Sequence, residues 1–298
     1  MTFMQSRVPN KILKKVAKSK LSGHWGVFIG AFFICFGIQY AITMLSEIPM
    51  VICQMRIYME AFSSGDMYAM LADDASFNVY ARYPWLIVVI IAVSLMAGLV
   101  MAIFNGGEYR MHLELAEERP VQIKQLFSGF KNKPGRYVVA YVLSVLIQLV
   151  PVVIMIPPLV AAVVLADSDA GTFAPFWILA FIVLYSYALI SVTLSLTMVN
   201  AVLADHPEVS GAEAVKISFR IMNGNKLKMF GLQLSFFGWL LLAGMTGGLL
   251  MMYVGPYLTQ SMTLFYMDAT GQINLTDGEK EYTDYTQYRG DINNDTGK

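Results

Sequence analysis

The chain has 298 residues, 21 Lys+Arg against 21 Asp+Glu and no formal net charge, and it is 56% hydrophobic but only 14% charged. Soluble domains carry about 25% charged residues, so this chain has about half the charge that a water-facing surface needs. Balanced charge gives no steer toward nucleic acid, and two cysteines in so apolar a chain exclude a disulfide scaffold, disorder and a coiled coil.

Residues 1–23 form a basic amphipathic segment in which Lys11, Lys14, Lys15, Lys18 and Lys20 interleave with Ile12, Leu13, Val16 and Leu21. Beside an apolar run, such a segment is expected to lie on the membrane. Lys11, Lys14, Lys15 and Lys18 would then meet anionic headgroups, at about 1 kcal/mol per charge near the surface.

Five windows free of charge follow, at residues 26–46, 85–107, 137–166, 171–204 and 229–267. A charged side chain at a helix centre costs about 2.5–3.5 kcal/mol on insertion. Each window also reaches the roughly 20 residues that a helix needs to cross hydrocarbon. The first is too long for a cleavable leader and lacks a small-residue cleavage site. The last would extend about 58 Å as one helix, nearly twice the hydrocarbon thickness. Thr246-Gly247-Gly248 at its middle is a cheap place to reverse the chain. The competing reading ends one span near Tyr253 and lays the remainder on the surface, with Pro256 as a kink.

The split predicts six spans, at about 25–46, 85–106, 137–164, 175–203, 228–246 and 248–267, within a membrane domain of residues 24–267. Basic residues number six in 1–23, six in 105–136, four in 205–228 and three in 268–298, against two in 47–84 and none in 167–174. By the positive-inside rule, six spans put nearly all of them in the cytoplasm, with both termini. Residues 268–298 form an acidic polar tail, expected to be flexible. Its glycosylation sequons at Asn274 and Asn294 would lie on the wrong side in this topology.

Three times an amphipathic stretch ending in glycine and basic residues precedes an apolar run: residues 10–23, 120–135 and 210–224. In the second, Ile123, Leu126, Phe127 and Phe130 share helical spacing. In the third, Ala212, Val215, Phe219 and Met222 share one face, with Lys216 and Arg220 off it. Ser210-Gly-Ala-Glu213 reads as a capping box, and Gly224 suits the left-handed position after a helix. The predicted fold is therefore all-α: a polytopic transmembrane bundle of six spans in three helical hairpins, each preceded by an interfacial amphipathic helix. Basic cytoplasmic loops shared by any polytopic protein are the alternative explanation of the pattern.

Chemistry is sparse. No span window contains an ionisable residue of the kind ion-coupled transporters keep in the bundle, and His24, His112 and His206 read as interfacial side chains at segment edges. Cys35 and Cys53 read as unpaired thiols. Asp205 and Glu208 could be posed as an acid–base pair, but a helix-ending turn explains them more simply. Neutral polar residues remain inside the windows: Gln39, Gln148, Asn200, Gln233 and Gln260, with Ser191, Thr193, Ser195 and Thr197 as a ladder. Gly26-xxx-Gly30 and Gly98-xxx-Ala102 permit close helix contact. Pro151, Pro157 and Pro158 would bend the third span. No catalytic residue, cofactor or metal site is assigned.

From residue 203 onward the chain resembles a family of bacterial integral membrane proteins, domain-of-unknown-function family 975. The resemblance is carried by Asp205-x-Pro207, Met222-x-Gly224-x-Lys226, Leu234-Ser235-Phe236-x-x-Trp239, Thr246 with its glycines, Pro256-Tyr257 and Phe265-Tyr266. GHWG around Trp25 and LFSGF at 126–130 are similar too. Where that family usually has an Ile-Pro-Gly element, this chain has MIPPL and a longer middle stretch. The resemblance implies a multi-pass protein of the bacterial cytoplasmic membrane with no established activity.

The expectation is thus a non-enzymatic membrane-organising, lipid-interacting or partner-regulating component, with membrane lipids and an unknown membrane protein as partners and no nucleic acid. An exporter of an apolar or lipid-like compound is the alternative, and an intramembrane enzyme comes third.

Overall fold

A computed structural model describes residues 5–6, 8–64, 75–131, 133–164 and 174–273, and every regular element among them is helical. In chain order these are α1 (Asn10–Leu21), α2 (Trp25–Ser64), α3 (Ala75–Arg82), α4 (Trp85–Ala116), a 3-10 turn (Ile123–Phe127) leading into α5 (Ser128–Lys131), and α6 (Gly135–Val164). Then come α7 (Ala174–Leu196), α8 (Val199–Asp205), α9 (Gly211–Met222), α10 (Lys226–Leu234), α11 (Phe237–Met245) and α12 (Met251–Ala269). The tail beyond 273, with both sequons, lies outside the described residues, as does the stretch between α6 and α7.

Among the described residues, five stretches are long and apolar enough to cross a membrane: Trp25–Glu60, Trp85–Ala116, Gly135–Ala161, Phe176–Asp205 and Lys226–Met245. Their outer faces carry bare apolar side chains, such as Phe36, Val88, Val153, Trp177 and Leu241, each more than half or nearly half exposed. That surface suits hydrocarbon. Two helices overrun the expected limits. α2 continues through Pro49 to Ser64 instead of ending near 46, and α4 continues to Ala116 instead of 106. The extension of α4 is buried by its neighbours, whereas that of α2 leaves Ile48, Val51, Met55 and Met59 exposed.

The last apolar window divides. α11 ends at Met245, and Gly247 and Gly248 take left-handed φ values of 62° and 87°. Thr246 ties the turn by donating its hydroxyl to the Ala243 carbonyl and accepting the Leu250 amide. α12 then returns antiparallel, in a register set by Trp239 on Tyr253, Phe236 on Tyr257 and Gln233 near the sulfur of Met262. Residues after Tyr253 pack into the bundle: Leu264, Phe265 and Tyr266 are fully buried, and Pro256 is buried within α12.

The three sequence units close into a ring. Each outgoing helix packs on its own return helix: α2 on α4, α6 on α7, and α10–α11 on α12. Each return helix also packs on the next outgoing one: α4 on α6, α7 on α10, and α12 back on α2. The amphipathic elements follow the same cyclic rule. The 3-10 turn and α5 seat on α4, α9 seats on α7–α8, and α1, at the start of the chain, seats on α12 near its end. α9 packs on α6 as well, so each amphipathic element lies against the sequence unit before it, and the first against the last.

Two sequence expectations for these elements fail. The second is not one helix but a 3-10 turn and a single α turn, burying Leu126 while Ile123, Phe127 and Phe130 stay partly exposed. In the third, Ala212 and Phe219 point outward. Its buried face is Ala214, Val215, Ser218, Ile221 and Met222, because α9 is wedged between α6 and α8 and both helices set its rotation. The N-cap holds, with the Glu213 amide donating to the Ser210 hydroxyl at 3.3 Å. Gly224 closes α9 with φ 82°.

Close approach explains the ring's tight side. Gly107 lies against the backbone of Leu126, where any β-carbon would strike the carbonyl. One helical face of α4 carries Gly98, Ala102 and Gly106, and the rings of Tyr141 and Tyr137 from α6 occupy the space above the two glycines.

Candidate functional site

The same small-residue face of α4 opens into a cavity. A half-open crevice of about 270 Å³ lies between α4, α6 and the α7–α8 junction, lined by Asn105, Tyr141, Ser144, Gln148 and Asn200 together with Gly98, Met101, Ala102, Ala140, Leu196 and Val199. Among the described residues, none of the five polar side chains has a protein hydrogen-bond partner. Five neutral donors and acceptors therefore converge on a space inside an otherwise apolar bundle. Leaving such groups unmet in an apolar setting costs about 1–3 kcal/mol each, and this lining can hydrogen-bond a polar, uncharged guest. The Ser/Thr ladder does not line it. Ser195 and Thr197 turn back onto the carbonyls of Ser191 and Thr193, and Ser191 accepts from Lys226 at 2.8 Å.

A second pocket of about 130 Å³ lies between the same helices toward the chain termini, lined by Arg110, Ser128, Arg136, Tyr137, Leu203, Ala204 and Pro207. Arg136, only 9% exposed, donates to the carbonyls of Leu203 at 3.0 Å, His206 at 2.9 Å and Val209 at 3.2 Å. It thereby caps the carbonyl end of α8. Its buried Nε has no partner. Arg110 donates to the Ala204 carbonyl at 3.3 Å and pairs with Glu114 at 2.6 Å.

His112 corrects the expectation of an edge residue. It is fully buried, stacks on Phe28 with ring centroids 4.4 Å apart, and its Nδ1 lies 2.7 Å from Gln260 Oε1. Since that oxygen can only accept, the proton sits on Nδ1. Nε2 then faces Glu108 at 3.9 Å with no hydrogen-bond partner. The overrun of α4 brings Glu108, Arg110 and His112 into the packed bundle. Among the described residues, no group of three His, Cys, Asp or Glu side chains is placed to hold a metal ion.

The motif residues of the closing third hold the architecture around this site. Asp205 accepts from the Tyr266 hydroxyl at 2.7 Å and from Gln272 at 2.6 Å, and Glu208 lies 3.1 Å from His206. His206 stands between the two acids at the end of α8, with its Nε2 3.2 Å from Asp205 and its Nδ1 3.1 Å from Glu208. Pro207 lines the cationic pocket. Trp25 stacks on Tyr253 at 4.5 Å, Phe236 meets Tyr257 edge-on at 4.9 Å, and Trp239 leans on Tyr253. Phe265 is buried beside Tyr266 in α12.

Of the basic residues of α1, Lys14 turns inward. It donates to the carbonyl and hydroxyl of Ser235 and stands 4.6 Å from the centre of the Phe236 ring, and partial burial lowers its pKa. Lys11, Lys15 and Lys18 lie on the exposed side of α1, whose buried face is Leu13, Ala17 and Leu21. Ser6 joins three elements: its hydroxyl donates to Asp268, and it receives Lys228 at 2.7–2.8 Å while its amide donates to Asn225.

Sequence reasoning singled out Gln148 and Asn200 but missed Asn105, Tyr141, Ser144, Arg110 and Arg136. A residue completing the set carried one usable signal: Asn105 follows Ala102 by three residues and Gly98 by seven, which places it on the same helical face.

A family model described as a protein of unknown function (DUF975) matches residues 4–272 of the chain. No curated protein and no solved structure matches it.

Proposed function

The chain belongs to the DUF975 family, and from that premise we propose an integral, non-enzymatic protein of the bacterial cytoplasmic membrane that holds a lipid-like amphiphile in the crevice between α4, α6 and α8. Six spans in three hairpins, with both termini cytoplasmic, form the ring around it. Support for the sixth span comes from Ser6, which bonds both Lys228 at the start of α10 and Asp268 at the end of α12, so the last hairpin begins and ends at one level.

The observation that carries the functional reading is the set of five polar, uncharged and unpartnered side chains in the cavity. Ester carbonyls and hydroxyls match amide and hydroxyl groups in a way that an alkane chain does not, and no ion is needed. The test is lipid extraction from the purified full-length protein. Wild type should retain a lipid through detergent exchange, and a Gln148→Leu/Asn200→Leu variant of equal thermal stability should retain at least about fivefold less. Equal retention would refute the reading.

A second reading, export of a lipid-like compound, is favoured by α6 itself. Pro151 follows Gln148 by three residues, with Pro157 and Pro158 further on, and each removes an amide from the helix ladder. Movement of a labelled lipid between leaflets of proteoliposomes, lost in Pro151→Ala, would favour transport over holding.

A further inference from the structure

We propose that the Arg110–Arg136 pocket binds the phosphate of an anionic amphiphile whose uncharged glycerol-ester region occupies the neutral cavity below it. This rests on the crevice reading above and names the class of its ligand.

Both pockets lie along the same three helices. Arg110 follows Asn105 by five residues on α4, Arg136 precedes Tyr141 by five on α6, and Ala204 follows Asn200 by four on α8. At 1.5 Å per residue the cationic pocket is displaced from the neutral one by about 6–8 Å along the bundle axis. The headgroup layer on each side of a bilayer has about that depth, roughly 5–8 Å beyond the hydrocarbon. Phosphate chemistry at the outer level and ester chemistry at the inner one are therefore spaced as a glycerophospholipid presents them.

Charge points the same way. Glu114 engages Arg110, and no carboxylate among the described residues lies within ion-pair distance of Arg136. The α8 carbonyls offer only partial negative charge to that buried guanidinium. Glu208, the nearby acid at the rim, is exposed and is engaged by His206. The pocket thus presents two guanidinium groups, of which only Arg110 has a carboxylate at ion-pair distance, together with Ser128. A buried cation without a counter-ion is costly, and a phosphate oxygen would remove that cost through charge-assisted hydrogen bonds. Capping α8 explains the three carbonyl bonds of Arg136 but not the second guanidinium, that of Arg110, lining the same pocket.

The test uses the full chain in a neutral detergent, with equimolar phosphatidylglycerol and phosphatidylcholine, and reads bound lipid by native mass spectrometry. Wild type should retain phosphatidylglycerol about tenfold over phosphatidylcholine. Arg136→Gln should abolish that preference. Because it also removes three bonds that cap α8, Arg110→Gln/Ser128→Ala is the companion variant that keeps those three and loses only the 3.3 Å bond of Arg110 to Ala204, and it should lower the preference at least threefold.

Equal retention of both lipids by wild type would overturn the phosphate site while leaving the crevice reading intact, and retention of neither would overturn both. A preference unchanged in the companion variant would place the phosphate elsewhere. Millimolar inorganic phosphate and glycerol 3-phosphate form a separate arm. If either binds as tightly as phosphatidylglycerol, the pocket takes soluble phosphates and the lipid assignment falls.

Discussion

The hydroxyl of Tyr266 donates to the carboxylate of Asp205 across 2.7 Å, joining residues 61 positions apart. Asp205 ends α8, and Tyr266 is buried in α12. The bond fastens two walls of the ring where α8 also supplies the carbonyls held by Arg136. Gln272 supplies a second donor to the same carboxylate, so the joint is a charge-assisted one. Such bonds contribute about 1.5–3 kcal/mol. A double-mutant cycle of Tyr266→Phe and Asp205→Asn, read by thermal unfolding in detergent, should give a coupling energy of about 1–2 kcal/mol. A coupling near zero would mean that the two residues stabilise the bundle independently.

Gly98 and Gly107 lie on the same helix but should respond differently to alanine. At Gly107 the new methyl meets the Leu126 backbone, which cannot move aside without unseating the 3-10 turn, and the expected loss is about 1–3 kcal/mol. At Gly98 it meets the Tyr141 hydroxyl, the far end of a side chain that can swing into the cavity. Gly98→Ala should therefore cost less stability and yet reduce lipid retention. Thermal melts and lipid content measured on the same preparations separate the two effects.

Lys20 bridges the end of α1 to Glu118 at 3.0 Å, and that hydrogen bond holds the Glu118 carboxyl below its ordinary value. A depressed carboxylate pKa contributes stability above the unfolded value and loses it as pH falls through the folded one. Tm of wild type should exceed that of Glu118→Gln by a small constant margin from pH 7 to about 5, and the margin should close below about pH 4. Added salt should shrink it at every pH, because Glu118 is solvent-exposed.

The reversal at Gly247–Gly248 makes a topological prediction. In a chain whose Cys35 and Cys53 are replaced by serine, Leu249→Cys should react with an impermeant maleimide on intact cells, and Gln272→Cys only after permeabilisation. Labelling of both from outside would remove the sixth span.

Much of this architecture was legible in the sequence because hydrocarbon imposes simple rules. Uncharged windows located the apolar helices, the glycine pair located the reversal, and Ser210 with Gly224 bracketed α9. What escaped depends on packing between segments far apart in the chain. Glu108, Arg110 and His112 were read as lying beyond a span, yet α4 stays helical because α2, α12 and the 3-10 turn cover it there. The face of α9 was misread because α6 and α8 hold it from two sides. The cavity draws Asn105, Ser144 and Asn200 from three apolar stretches, and no spacing within one of them signals the other two. Arg136 looked like a basic loop residue until α8 placed its last carbonyls around it.

The central claim, that the α4–α6–α8 crevice holds a lipid, is tested most directly by photo-crosslinking from position 101. Met101 lines the cavity, whereas Trp177 on α7 faces outward and is 62% exposed. A diazirine side chain placed at each position in living cells would capture the lipid beside it, and mass spectrometry of the adducts would give its identity. The account predicts that adducts at 101 are dominated by one anionic glycerophospholipid class and are lost when Gly98→Leu fills the space, while adducts at 177 follow the bulk membrane composition. Adducts at 101 that match the bulk composition and survive Gly98→Leu would contradict it.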